Sequence, residues 1–105
     1  MDDYLPTIYT RFRSAYPEVA GSLDAVGAAV DAVGALDERS MRLVKLGIAI
    51  GAQSEGGVRS SVRKAVAVGV TPDEVRHATL LAITTAGFPT AMAALQWADE
   101  VIDGA

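Results

Sequence analysis

The sequence predicts an all-α fold, a compact bundle of about six helices in a single domain spanning residues 1–105. Three observations predict it. Half of the residues are hydrophobic but only 6% are aromatic, so the apolar content is mostly Ala, Val, Leu and Ile, a mixture that suits close-packed helices. Apolar residues recur at steps of three and four along most of the chain. No run alternates with period two over a strand length, so no sheet is expected.

The elements follow from punctuation and periodicity. Leu5, Ile8, Phe12 and Ala15 form the face of a first amphipathic helix. Pro17 ends it and suits the first turn of a second. There Val19, Leu23, Val26, Val30 and Val33 alternate steps of four and three, a narrow seam for packing helix on helix. Gly34 is a stop signal. Asp37 is a good N-cap for a third helix, with Glu38 near its positive end. Leu43, Leu46 and Ile50 line one side of it, Val44 and Ile48 another. No charge occurs from Leu46 to Ala52, which predicts burial almost all round. Gly47 and Gly51, four apart, predict close approach of a neighbouring backbone.

A fourth helix begins at Ser54-Glu55, carries Val58, Val62 and Ala65, and stops at Gly69. Thr71-Pro72-Asp73-Glu74 is the strongest local signal: an N-cap, a proline at the first helical position and a capping-box glutamate. Val75, Thr79, Ala82 and Ala86 make one face of this fifth helix, which Gly87 ends. Pro89 opens a sixth, with Ala91, Leu95, Ala98 and Ile102 on one face. The uncharged stretch from Ala78 to Ala98 has the length of a membrane span. Gly87-Phe88-Pro89 breaks it, which predicts two shorter buried helices joined by a tight turn.

The net charge is −4, from 9 Lys+Arg against 13 Asp+Glu. No basic face is available to displace counterions, so neither a nucleic-acid nor a membrane partner is expected. The Met-Asp-Asp-Tyr start lacks the basic and apolar regions of a leader, which predicts a cytoplasmic protein. With no cysteine there are no disulfides, no thiolate metal sites and no redox-active thiols. One histidine and no phosphate-binding glycine loop leave no metal or cofactor to predict.

Two regions hold candidate functional residues. Gln53-Ser54-Glu55-Gly56-Gly57 interrupts two apolar helices and reads either as a binding patch or as a helix junction, in which Ser54 caps and Glu55 offsets the dipole. Arg59, with Arg63 four residues on, suits an anion or a partner carboxylate, or else a solvated basic edge. Histidine is the residue type suited to proton transfer near neutral pH, which makes His77 a candidate general acid or base, as is Glu55; the alternative for His77 is a local pair with Asp73. Ser54, Ser60 and Ser61 have no suitable base nearby in sequence.

The stretches Asp37-Glu38-Arg39-Ser40, Leu43 to Ala52, Val62-Arg63-Lys64-Ala65, Gly69-Val70-Thr71-Pro72-Asp73-Glu74-Val75 and Ala86-Gly87-Phe88-Pro89-Thr90-Ala91 together resemble the carboxymuconolactone decarboxylase family, which includes alkylhydroperoxidase D. The likeness spans roughly residues 37 to 100. It implies an all-helical fold and a homo-oligomer, a trimer or hexamer. The family's peroxidase branch carries Cys-x-x-Cys-x-x-x-His and a relay glutamate. Here the cysteine positions fall at Ser54 and Gly57, the histidine position at Ser61 and the glutamate near Arg42. The resemblance therefore implies the scaffold without the thiol peroxidase site. The lactone decarboxylase branch does not need the thiols, but its histidine would also fall at Ser61, so that chemistry does not carry over either.

Two functions follow as expectations. One is a protein that binds or converts a small molecule near the Gln53–Glu55 junction, with Gln53, Ser54, Glu55, Arg59 and Ser61 as ligand contacts and His77 or Glu55 as catalytic candidates. The other is a non-enzymatic oligomeric scaffold or partner-binding protein that kept the fold.

Overall fold

The computed structural model describes residues 6–104, which lie in helices and short connections with no strand among them. Leu5 and the Met-Asp-Asp-Tyr start fall outside the described residues. The chain divides into two compact units at Ala35–Leu36.

The first unit holds α1 (Thr7–Ala15) and α2 (Pro17–Asp31). Pro17 stands at the first helical position of α2, where its missing amide hydrogen costs nothing. An ion pair from Arg13 to Asp24 ties the two helices. Tyr9 and Phe12 on α1 and Tyr16 just after it make tilted ring contacts with centroids 6.5 and 6.2 Å apart. The α2 seam is where prediction and structure part. Val19, Leu23, Val26, Val30 and Val33 are all exposed, so within the first unit α1 does not pack into it.

The second unit holds α3 (Glu38–Gly51), α4 (Glu55–Ala67), α5 (Pro72–Leu80), a 3₁₀ turn (Leu81–Thr84) and α6 (Phe88–Ile102). Its N-caps are those expected. Asp37 accepts from the Ser40 amide, Ser54 from the Gly57 amide and Thr71 from the Glu74 amide. Gly69 and Gly87 sit at φ +93° and +104°, a region that side chains with a Cβ avoid. The core draws Leu46 and Ile50 from α3, Val58, Val62 and Ala65 from α4, Val75 from α5 and Ala91, Ala94 and Ala98 from α6. Removing a Leu or Val side chain from water contributes about 2 kcal/mol. The alanines of α6 let α4 and α5 approach it closely. Arg59 to Glu100 and Arg76 to Asp99 then bind both helices to α6 from outside. No helix among the described residues is long and apolar enough to cross a membrane.

Three expectations need correction. The third helix is not buried all round: Leu46 and Ile50 are buried, but Val44 and Ile48 are 48% and 66% exposed. A lack of charge marked apolar surface, not interior. No backbone comes close to Gly47 or Gly51, since a Cβ at either would meet nothing within 4 Å. The fifth helix stops at Leu80 and continues as the 3₁₀ turn. The β-branched run Ile83-Thr84-Thr85 disfavours a further α-turn. Thr84 and Thr85 hydroxyls donate back to the Leu81 carbonyl, and the amides of Thr85, Ala86 and Gly87 all turn onto the Ala82 carbonyl.

Candidate functional site

The α3–α4 corner is built by backbone capping. The Gln53 amide donates to the Ile50 carbonyl and the Ser54 amide to the Ala49 carbonyl, at 2.9 and 3.1 Å. This double closure needs a left-handed residue at its centre, and Gln53 supplies it at φ +55°. Ser54 then serves the next helix, accepting from the Gly57 amide at 3.0 Å. Glu55 lies in the first turn of α4 and pairs with Arg59 one turn on, at 3.1 Å. Arg59 also reaches Glu100, and Gln96 donates to the other oxygen of that carboxylate. Arg59 is thus neither a free anion site nor a solvated edge. The Glu100 carboxylate, with a smaller contribution from Glu55, raises its pKa. The same pairing holds the Glu100 carboxyl below its usual range. Ser61 is half-buried on α4. The residues named for this junction therefore mainly cap helices and join α4 to α6.

A concave feature of the second unit lies elsewhere. A cavity of about 470 Å³ opens between α3, α5 and the 3₁₀ turn. Leu43, Val44, Gly47 and Ile50 wall it from α3, and Ala78, Leu81 and Ala82 close the far side. Glu74, His77 and Thr85 are its polar groups. Gly47 lines it without a side chain, and Ala78 and Ala82 contribute only methyls, so small residues on both walls create the space. The size falls within the range of small-molecule sites, about 300–1,000 Å³.

Glu74 is fixed at the rim by three contacts. One carboxylate oxygen accepts the Thr71 amide and the Arg39 guanidinium, and its own amide donates to Thr71. The Thr71 amide first, then Arg39, hold its carboxyl below the usual glutamate range, so it stands as an anion at neutral pH. His77 is exposed one turn further along α5. Asp73 lies 4.0 Å from Arg76, on the same helix as His77.

Of the residues predicted from sequence, His77 lines this cavity, while Gln53, Ser54, Glu55, Arg59 and Ser61 do not. Sequence reasoning missed Glu74 because the Thr-Pro-x-Glu pattern explained it fully as a capping residue. Glu74 and His77 stand three apart on α5 and both line the cavity, but nothing along the sequence sets that face opposite Gly47.

Residues 17–100 match the model of the carboxymuconolactone decarboxylase family. The structure is similar to the apo crystal structure of a carboxymuconolactone decarboxylase family protein from Legionella pneumophila. The TM-score is 0.77 at 23% sequence identity, covering 92% of this chain and 87% of that one. No curated protein matches the sequence.

Proposed function

The chain belongs to the carboxymuconolactone decarboxylase family, and from that premise we propose that it binds a small, mainly apolar molecule in the α3–α5 cavity without thiol chemistry. The cavity carries the reading: an apolar chamber of about 470 Å³ with a fixed carboxylate and an imidazole at its edge. Apolar walls favour burial of a hydrocarbon or aromatic body, and a few convergent polar groups orient it. Glu74 accepts hydrogen bonds from the ligand's polar end. His77 can donate or accept, and it is the group in the cavity suited to moving a proton if the ligand is converted. This moves the expected contacts from the Gln53–Glu55 junction to α5. The four positions that matter to the family's peroxidase branch, Ser54, Gly57, Ser61 and Arg42, supply no nucleophile to replace the thiols.

The reading includes a cytoplasmic homo-oligomer, with trimer or hexamer as the orders implied by the family likeness. The exposure of Val44, Ile48, Leu80, Leu81 and Phe88 supports self-association, since apolar surface left to solvent is what an interface between copies would cover. The same observation favours the second reading, a non-enzymatic scaffold. A thermal-shift panel of small aromatic and aliphatic alcohols, phenols and amines separates the two. Binding raises the melting temperature with ligand concentration; a flat response across the panel favours the scaffold.

A further inference from the structure

The cavity between α3 and α5 has a direction. On α5 and the 3₁₀ turn it is lined by Glu74, His77, Ala78, Leu81, Ala82 and Thr85, whose spacing of three and one in turn puts them on one helical face. At about 1.5 Å of rise per residue they mark out a trough about 16 Å long. Glu74 and His77 stand at one end of this wall and Thr85 at the other, with only alanine and leucine between them. Arg39, in the first turn of α3, reaches Glu74, in the first turn of α5, so both walls start at the end that holds the carboxylate.

We propose that this trough takes a primary alkylamine, its ammonium at Glu74 and His77 and its chain running toward Thr85. This rests on the small-molecule reading above and narrows it to one class of ligand. The polar groups of the wall carry it, because they are mostly acceptors. A glutamate carboxylate accepts only. Oε1 of Glu74 takes the Thr71 amide and the Arg39 guanidinium, and neither bond uses Oε2. Thr85 already spends its hydroxyl proton on the Leu81 carbonyl. A neutral imidazole at His77 offers one ring nitrogen as a further acceptor. No lysine or arginine lines the cavity among the described residues. An ammonium brings three N–H donors and the charge that complements a carboxylate.

Charge separates the amine from other head groups on the same chain. An alcohol gives Glu74 one uncharged donor, and a charge-assisted bond is roughly twice as strong. A carboxylate sets like charge against like and finds no lysine or arginine on the walls. Arg39 reduces the advantage of the amine without abolishing it. It binds Oε1 from outside the lining, and its side chain is 48% exposed, where water screens the pair. The chain is favoured for a separate reason. Val44 and Leu81, on opposite walls, are both exposed, and an aliphatic body laid along the trough covers them.

The test is isothermal titration calorimetry of the full chain at neutral pH with n-hexylamine, 1-hexanol and hexanoate, which share one body and differ in head group. Hexylamine is expected to bind roughly tenfold more tightly than hexanol, and hexanoate to give no signal. Glu74→Gln keeps a capping-box side chain and an acceptor but removes the charge, so in that variant hexylamine and hexanol should bind alike. Arg39→Gln leaves the Thr71 amide to hold Glu74 and removes the competing cation. It should tighten hexylamine several-fold and leave hexanol as it was. Hexanol or hexanoate binding the wild type as tightly as hexylamine overturns the proposal and leaves the site standing. So does an amine preference that survives Glu74→Gln, or an amine affinity that Arg39→Gln does not raise; the second holds even where Glu74→Gln fails to fold. If none of the three binds while phenols do, the proposal falls alone; if phenols fail too, the small-molecule site falls with it.

Discussion

Ser54 Oγ accepts the Gly57 amide at 3.0 Å, and a Cβ placed on Gly57 would stand 2.7 Å from that same oxygen. The cap and the missing side chain are therefore one feature. Ser54→Ala is expected to lower stability by about 1 kcal/mol, the usual cost of a lost N-cap. Gly57→Ala gains helix propensity but pushes the capping oxygen away, so it destabilises despite adding a helix former. In the Ser54→Ala background it is tolerated better, and the two effects fall short of additivity by about 1 kcal/mol. Urea unfolding of the four proteins measures this.

Gln53 occupies the left-handed position that closes α3, where glycine is the unstrained residue. Gln53→Gly is expected to raise stability by about 1 kcal/mol, since a left-handed residue with a Cβ costs that much. It leaves ligand binding unchanged, because Gln53 does not line the cavity. A loss of ligand response in this variant would return the site to the α3–α4 junction.

Much of the second unit was legible in the sequence, because its signals are local. Asp37, Ser54 and Thr71 cap where their side chains reach an amide three residues on. Gly69 and Gly87 stop helices by conformation alone. Periodicity also separated Leu43, Leu46 and Ile50 from Val44 and Ile48. It could not say whether the second stripe faces core or solvent, because both faces are apolar. The cavity was invisible for a related reason. It arises from what Gly47, Ala78 and Ala82 leave empty, and a gap between helices leaves no pattern along one of them. Arg59 was misread because Glu100, its partner, lies on α6, far along the chain.

Stability should fall on acidification below about pH 4.5, where free glutamates protonate. The Glu74 and Glu100 carboxyls are both held below their unperturbed 4.5. A group with a depressed folded pKa stabilises the fold fully above its unfolded value, and that stability is lost as pH falls through the folded one. Glu74→Gln is expected to flatten the dependence of melting temperature on pH in this window. An unchanged slope would show that the Thr71 and Arg39 contacts do not favour the carboxylate.

The protein is expected to lack thiol-dependent peroxidase activity. Peroxide reduction through sulfur needs an attacking thiolate and a resolving thiol. Ser54 has neither the low pKa nor the oxidation states, and its hydroxyl is engaged by Gly57. Methionine oxidation would consume peroxide once without turnover. A coupled assay with dithiol reductants should read as the heat-treated control does; sustained turnover by pure protein would contradict this.

The cavity is tested most directly by filling it. A Cβ at Gly47 meets nothing within 4 Å, so Gly47→Phe can place its ring between α3 and α5 while keeping the helix. In thermal-shift titrations with the small alcohols and phenols that stabilise the wild type, this variant should lose the ligand-dependent shift at an unchanged or raised starting melting temperature. An equal shift in both proteins would contradict a small-molecule site at the α3–α5 cavity.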